Sequence, residues 1–229
     1  LRAAPLRGYT IPGLSEKLIT ALFADDTTVY LSAHDDYADL LTVLNRWCAA
    51  SRAKFNAPKT ELIPIGPAAY RAAVYATRTL RPGGDVIPLD VTIVPDGVAV
   101  RLLGAWIGNR INNVAVWQKT CRTIESGLAR WGRRNPTLIG KKIAVSIEVG
   151  SRTQYLARVQ GMPKEIEAHL LTQIRRFIWG SVATPPVAIE MLYRPLSLGG
   201  INLLDLKARN EAIELIWTRE YLNLSPSRP

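Results

Sequence analysis

The chain has 229 residues, with 29 Lys and Arg against 19 Asp and Glu, a net charge of +10, and 48% hydrophobic residues. This composition is too apolar for a disordered chain, and no apolar run approaches the ~18 residues of a membrane-spanning helix. Two cysteines and two histidines at distant positions are too few for a disulfide framework or a zinc cluster. We expect an intracellular globular protein, nuclear or cytoplasmic, with no membrane partner.

The positive charge is concentrated in one segment. Residues 111–180 carry twelve basic and four acidic side chains, whereas residues 1–61 and 181–229 are each neutral overall. A local basic surface favours a polyanion, and nucleic acid is the commonest polyanion inside cells. A well-solvated surface without a partner is the alternative that charge alone leaves open.

The first predicted element is a β-hairpin. Apolar and β-branched runs at 18–24 and 27–31 flank the pair Asp25-Asp26, which we take as the turn. Two-residue turns usually contain Asn-Gly or Asp-Gly, and two adjacent carboxylates repel each other. A bound divalent cation would offset that repulsion, although an acidic turn without a metal is also common.

A helix is predicted over 32–54, from apolar residues at three- and four-residue steps, and Asp35, Asp36 and Asp39 are expected to favour its start. Pro58 predicts a turn before a strand at 62–65. A short helix is expected around 70–77. Pro95-Asp96-Gly97 predicts a second hairpin between strands 91–94 and 98–103.

Helices dominate from residue 111 onwards. The first carries an apolar stripe from Val114 to Trp131, the second starts at 135–137, and the third runs from Pro163 to Gly180. A Gly199-Gly200 turn and a last amphipathic helix from about Asp205 follow. The pattern predicts a basic three-helix bundle and a helical tail.

Several of these segments resemble one family, in the same order along the chain. Phe23-Ala24-Asp25-Asp26 resembles the aromatic-x-Asp-Asp hairpin of reverse transcriptases, in particular those of non-LTR (LINE-type) retrotransposons. The segment 56–61 resembles their Asn-x-x-Lys-Thr-Glu motif, and 103–108 resembles their Leu-Gly primer grip. The basic helices of 111–180 occupy the place of the thumb, and 199–203 resembles the Gly-Gly segment that often follows it.

The resemblance implies an α+β fold. It implies a partial polymerase palm of antiparallel hairpins plus a helix in residues 1–110, an all-α basic thumb in 111–180, and a connection segment with a C-terminal helix in 181–229. The implied activity is RNA-directed DNA polymerisation by Mg²⁺-dependent nucleotidyl transfer. Its partners would be an RNA template, a DNA primer and a deoxynucleoside triphosphate.

The resemblance also assigns roles to single residues. Asp25 would bind Mg²⁺ with Asp26 as a less essential neighbour, and Lys59 would lie near the triphosphate or be only an exposed turn lysine. Gly104 and Trp106 would support the primer end, with core filling as the alternative for Trp106. The residues expected to contact duplex phosphates, or alternatively to form a solvated surface, are Lys119, Arg122, Arg130, Arg133, Arg134, Lys141 and Lys142.

Two parts of the family's polymerase have no counterpart in this sequence. The first catalytic aspartate and the Gly-containing nucleotide segment precede the hairpin in the family, but here the hairpin starts at about residue 18. We therefore expect the C-terminal portion of a longer polymerase, without fingers and inactive alone. The alternative is a non-catalytic nucleic-acid-binding remnant, either decayed or adopted by the host.

Overall fold

A computed structural model describes residues 4–11, 17–180 and 184–223. Within these residues the fold mixes helices with two-stranded sheets. The chain forms two compact units: the N-terminal unit, Leu1–Val100 with Ile107–Ile111, and the C-terminal unit, Arg101–Trp106 with Asn112–Pro229. No helix among the described residues is long and apolar enough to cross a membrane.

The strands are short and pair in twos. In chain order they are β1 (Tyr9–Thr10), β2 (Lys17–Leu18), β3 (Thr20–Phe23), β4 (Asp26–Val29), β5 (Glu61–Leu62), β6 (Thr92–Ile93), β7 (Val100–Leu102) and β8 (Ala105–Ile107). The β1–β2 and β3–β4 pairs are antiparallel, whereas β5 and β6 are parallel. β7 pairs with β8.

The helices follow the predicted order. They are α1 (Tyr37–Ser51), α2 (Ala68–Thr77), α3 (Asn113–Gly132), α4 (Leu138–Val145), α5 (Arg152–Gln160), α6 (Lys164–Trp179), α7 (Ile189–Tyr193) and α8 (Leu206–Leu222). A π-helical segment, Ser146–Ser151, joins α4 to α5 without a break in the helix. The predicted helices at 70–77, 163–180 and 205–221 are confirmed within a few residues, and the predicted helix at 32–54 is shorter at both ends.

The predicted second hairpin is wrong. The segment 91–94 does not pair with 98–103; its residues Thr92 and Ile93 lie parallel to Glu61 and Leu62. The main-chain N–H of Val94 also donates to the carbonyl of Leu62 at 2.9 Å. The Pro95–Gly97 turn exists, but β7 pairs instead with β8, across the turn Leu103-Gly104.

Each unit has its own apolar core. In the N-terminal unit, side chains of α1, α2 and β6 meet residues of the connecting loops; its buried members are Leu6, Tyr37, Leu40, Val74, Leu80, Ile87, Val91 and Ile93. In the C-terminal unit, the core lies between α3, the α4–π–α5 helix and α6, and includes Trp117, Ile124, Val145, Val149, Leu170 and Ile174. Buried residues from the last part of the chain, among them Leu192, Leu203 and Leu206, belong to the same C-terminal core.

Candidate functional site

The acidic hairpin is shifted by one residue from its predicted register. Phe23 pairs directly with Asp26, so that the turn consists of Ala24 and Asp25. Ala24 adopts a φ of 53°, the left-handed backbone that tight hairpin turns require and that glycine usually supplies. Asp25 therefore lies at the tip of the turn and Asp26 is the first residue of β4; the prediction of an Asp25-Asp26 turn was wrong.

Both hairpin carboxylates are exposed to solvent, and so are Leu22 and Phe23 on β3, each at 67%. Among the described residues, no group of three or more His, Cys, Asp or Glu side chains could hold a metal ion. Magnesium needs several oxygen ligands in near-octahedral geometry. The described residues therefore do not make a magnesium site by themselves, although Asp25 and Asp26 could contribute to one.

Asp35 has a structural role that the sequence did not indicate. Its side chain is 4% exposed and accepts hydrogen bonds from the main-chain N–H groups of Arg7 at 2.7 Å, Gly8 at 3.0 Å and Ser32 at 2.8 Å. Asp35 does not cap α1, and Asp36 occupies the cap position of this helix without a side-chain capping bond. Asp35 instead ties the segment before β1 to the segment that follows β4.

Two ion pairs of the N-terminal unit shift the titration of their carboxyl groups. Arg71 donates to both oxygens of Asp96, at 2.9 and 2.6 Å, and this hydrogen bonding holds the pKa of Asp96 below its usual range. Arg81 lowers the pKa of Asp36 in the same way. Asp25 and Asp26 of the acidic hairpin are not members of either pair.

Lys59 ends a short 3₁₀ turn, Ala57–Lys59, which contains Pro58 and leads into β5. Its main-chain N–H donates to the carbonyl of Asn56 at 3.0 Å, and its side chain is exposed. Lys59 thus belongs to the same unit as Asp25, with its ammonium group at the surface. The structure brings the two residues into one unit but not into contact.

The β7–β8 turn is attached to helix α5. Leu103 and Gly104 have φ values of 48° and 84°, as expected for a hairpin turn with two left-handed residues. The hydroxyl of Tyr155 donates to the carbonyl of Leu103, and a Cβ on Gly104 would lie 2.9 Å from Cε1 of the same ring. Close approach to Tyr155 therefore explains the glycine at position 104.

Gln160 holds the main chain of Trp106 from the end of α5. Its Oε1 accepts from the N–H of Trp106 at 2.9 Å, and its Nε2 donates to the carbonyl of the same residue at 2.8 Å. The Trp106 ring packs against the core of the C-terminal unit. Of the two roles considered for Trp106, core filling is the one that its contacts show; sequence reasoning missed Tyr155 and Gln160 as the residues that fix this turn.

The basic residues of α3 share one face. On a helical projection, Lys119, Arg122, Arg130 and Arg133 fall opposite the buried stripe of Trp117, Cys121, Ile124 and Leu128. All four basic side chains are exposed, and Arg134 follows at the end of the helix, also exposed. We call the five residues Lys119, Arg122, Arg130, Arg133 and Arg134 the α3 basic face.

The two lysines of α4 differ from that face. Nζ of Lys141 donates to the carbonyl of Ile178 at 2.7 Å, where it satisfies the carboxyl end of α6. Lys142 is half-buried and has no ion-pair partner among the described residues. Lys141 therefore has a local structural partner, whereas the α3 basic face is open to solvent.

An exposed apolar ridge runs along the α4–π–α5 helix. Ile139, Ile143, Ile147, Tyr155 and Val159 recur at multiples of four residues, and each is at least 38% exposed. Apolar side chains grouped at a surface in this way are typical of contact sites. We call these five residues the apolar ridge.

No model of a known protein family matches this chain. A search of curated proteins also finds none that matches it.

Proposed function

We propose that this chain is the palm-end, thumb and connection portion of a non-LTR-type RNA-directed DNA polymerase. The observation that carries the proposal is the acidic hairpin, in which Asp25 lies exposed at the tip of a tight antiparallel turn and Asp26 begins the next strand. Carboxylates fixed on such a turn can bind the divalent cations that nucleotidyl transfer uses. The order of the hairpin, the Lys59 turn and the Leu103-Gly104 turn along the chain supports the same proposal.

In this proposal Asp25 contributes one carboxylate to the Mg²⁺ ions of the intact polymerase. Magnesium would there stabilise the attacking and leaving oxygens of nucleotidyl transfer. Because the described residues hold no third ligand near the hairpin, polymerisation is expected only from a protein that also supplies the opposing carboxylate. Lys59 would lie near the triphosphate, where its ammonium could neutralise negative charge.

The C-terminal unit would hold the template–primer duplex. The α3 basic face offers cations to the phosphate backbone, and such contacts bind nucleic acid without reading its sequence. The apolar ridge lies in the same unit and can contact sugars and base edges in a groove. Gln160 and Tyr155 would keep the Leu103-Gly104 turn fixed on the unit that binds the duplex.

A second candidate function is nucleic-acid binding without catalysis. The observation that favours it is the α3 basic face, whose exposed cations could hold a duplex by charge without any catalytic group. Binding would then depend on the α3 basic face and would be indifferent to Asp25.

The two functions are separated by Mg²⁺-dependent primer extension on an RNA template, with a protein extended to include the opposing carboxylate. We expect Asp25→Ala to abolish extension and to leave duplex binding intact. The control is Asp39→Ala, at an exposed position in the first turn of α1, which should change neither extension nor binding. Extension that survives Asp25→Ala would refute the role of this residue. Duplex binding without extension by the wild-type protein would favour the non-catalytic function.

A further inference from the structure

A buried carboxylate in the C-terminal unit contacts two exposed arginines. The side chain of Glu148 is 5% exposed and accepts hydrogen bonds from Nε1 of Trp131 at 3.2 Å and from Nε of Arg152 at 2.8 Å. A terminal nitrogen of Arg130 lies 4.0 Å from the same carboxylate. One buried acidic group therefore links α3, the π-helical segment and the start of α5.

Two features of the fold, the π-helical segment and Gly127, allow this carboxylate to lie against α3. Glu148 lies within the π-helical segment, and π-helical turns change the direction of side chains relative to a continuous α-helix. The carboxylate packs directly on Gly127, where an added Cβ would overlap both of its oxygens. Only glycine at position 127 allows this approach.

Packing alone does not account for Glu148. Burial of a carboxylate carries a desolvation cost, and an apolar side chain of similar size is often the more stable choice at such a position. Trp131 requires only one acceptor for its indole N–H, which a neutral side chain could supply. The remaining polar contacts of Glu148 are the hydrogen bond from Arg152 and the 4.0 Å ion pair with Arg130, and both of these partners are guanidinium groups.

The two guanidinium groups remain available to a ligand. The side chains of Arg130 and Arg152 are 66% and 38% exposed. Arg152 uses its Nε for Glu148, and its two terminal nitrogens, with four N–H groups, have no acceptor among the described residues and are left for a ligand. Planar guanidinium groups bind phosphate oxygens in pairs of parallel hydrogen bonds. A guanidinium group that is already oriented loses less side-chain entropy when it forms them.

We propose that Glu148 is a positioning residue that orients Arg130 and Arg152 as a paired binding site for a backbone phosphate of a nucleic-acid duplex. The proposal rests on the duplex-binding function proposed above and adds to it a specific site. Arg152 and Glu148 join Arg130, which the α3 basic face already contains. The site recognises phosphate and carries no base specificity.

Glu148→Gln distinguishes this proposal from a simple charge effect. The substitution raises the net charge of the protein by one, and general electrostatic attraction alone would therefore tighten binding to a polyanion. If Glu148 positions the arginines, binding of the full chain to an RNA–DNA hybrid duplex should instead weaken, by about three- to tenfold at moderate salt. Glu211→Gln on α8, which makes the same charge change at an exposed pair with Lys207, is the matched control and should not weaken binding.

A double-mutant cycle tests whether the effect passes through the arginines. Glu148→Gln should cause no further loss when Arg130 and Arg152 are both alanine. The double variant Arg130→Lys and Arg152→Lys keeps both charges. It should still lower affinity, because lysine lacks the planar fork of the guanidinium group. Thermal unfolding of each variant shows that it is folded.

The outcomes separate the two proposals. If the wild-type chain does not bind the duplex, the proposed function fails and the phosphate site fails with it. If the wild-type chain binds but Glu148→Gln binds equally or more tightly, or if the double lysine variant binds like the wild type, the positioning role of Glu148 is refuted and the duplex-binding function stands.

Discussion

The hydroxyl of Tyr155 donates a hydrogen bond to the main-chain carbonyl of Leu103, and the ring of the same tyrosine covers Gly104. Helix α5 therefore fixes both residues of the β7–β8 turn. The turn contains two left-handed residues, of which only the second is a glycine. Its geometry depends on the tertiary contact with Tyr155 as well as on local sequence.

Gly104→Ala should destabilise the C-terminal unit by about 2–4 kcal/mol, because the new methyl group adds a clash with Tyr155 to the cost of a left-handed alanine. Gly199→Ala is the matched control. Gly199 has a φ of 77°, and a Cβ added there would have no atom within 4 Å, so its replacement should cost only about 1 kcal/mol. Urea unfolding measures both; equal losses would show that the Tyr155 contact is unimportant.

Gln160→Ala should cost about 1–3 kcal/mol, since it leaves the N–H and the carbonyl of Trp106 without their partner. Gln118→Ala, at an exposed position of α3, is the control and should lie within about 0.5 kcal/mol of the wild type. Hydrogen exchange at the Trp106 amide provides a local measurement. Protection that is unchanged in Gln160→Ala would contradict the proposed anchoring.

Asp35→Asn should destabilise the N-terminal unit by about 2–4 kcal/mol. A carboxylate accepts all three main-chain N–H groups, whereas an amide presents one oxygen and an NH₂ group that cannot accept. Asp39→Asn makes the same change on the exposed side of α1 and should have little effect. Equal stability of the two variants in denaturant unfolding would remove the structural role of Asp35.

The Asp96–Arg71 pair should make stability depend on pH in the acidic range. Hydrogen bonding from Arg71 holds the pKa of Asp96 below its ordinary value of 3.8 in the folded protein. The stabilisation is therefore complete above about pH 4 and is lost as the pH falls through the folded value. Asp96→Asn should be less stable than the wild type at neutral pH, and the difference should narrow below about pH 4.

Unfolding midpoints measured across this pH range test the pair. Asp90→Asn is the control, because Asp90 is exposed and has no ion-pair partner among the described residues. If the unfolding midpoints of the wild type and Asp96→Asn differ by the same amount at all pH values, ionisation of Asp96 contributes nothing to stability.

Charge reversal on α3 should weaken duplex binding. The double variant Lys119→Glu and Arg122→Glu would remove two phosphate contacts and should lower affinity by at least about tenfold. The slope of the logarithm of the binding constant against the logarithm of salt concentration should fall in magnitude by about 2. Lys207→Glu with Arg219→Glu reverses two charges on α8 in the same unit and serves as the control. Fluorescence anisotropy at several salt concentrations measures both, and an equal loss in the two variants would indicate only a general charge effect.

Sequence periodicity predicted the helices well, because their signals are local. The stripe on α3 and the stop at Gly180 both lie within the elements that they define. The sheet pairing was not predictable in the same way, since Glu61–Leu62 and Thr92–Ile93 pair across a long segment that includes helix α2. The turn signal at Pro95–Gly97 is real, but a turn does not specify which strands will pair.

The site residues followed the same division. The exposure of Asp25 at a hairpin tip was predictable from its flanking strands, whereas the register depended on Ala24 adopting a left-handed backbone. Ile139, Ile143 and Ile147 keep a four-residue step from α4 into the π-helical segment, so that the apolar spacing did not indicate the change of helix type. Glu148 and Gln160 have ordinary helical contexts, and only their tertiary partners reveal what they do.

The chain passes from the N-terminal unit to the C-terminal unit, returns, and crosses again, which affects how the two units could be produced as separate polypeptides. The six residues Arg101–Trp106 belong to the C-terminal unit, although residues on both sides of them belong to the N-terminal one. A polypeptide that started at Asn112 would lack these six residues, and the side chains of Tyr155 and Gln160 would lose their main-chain partners. The C-terminal unit is therefore discontinuous in sequence, and no single cleavage point separates it whole from the remainder.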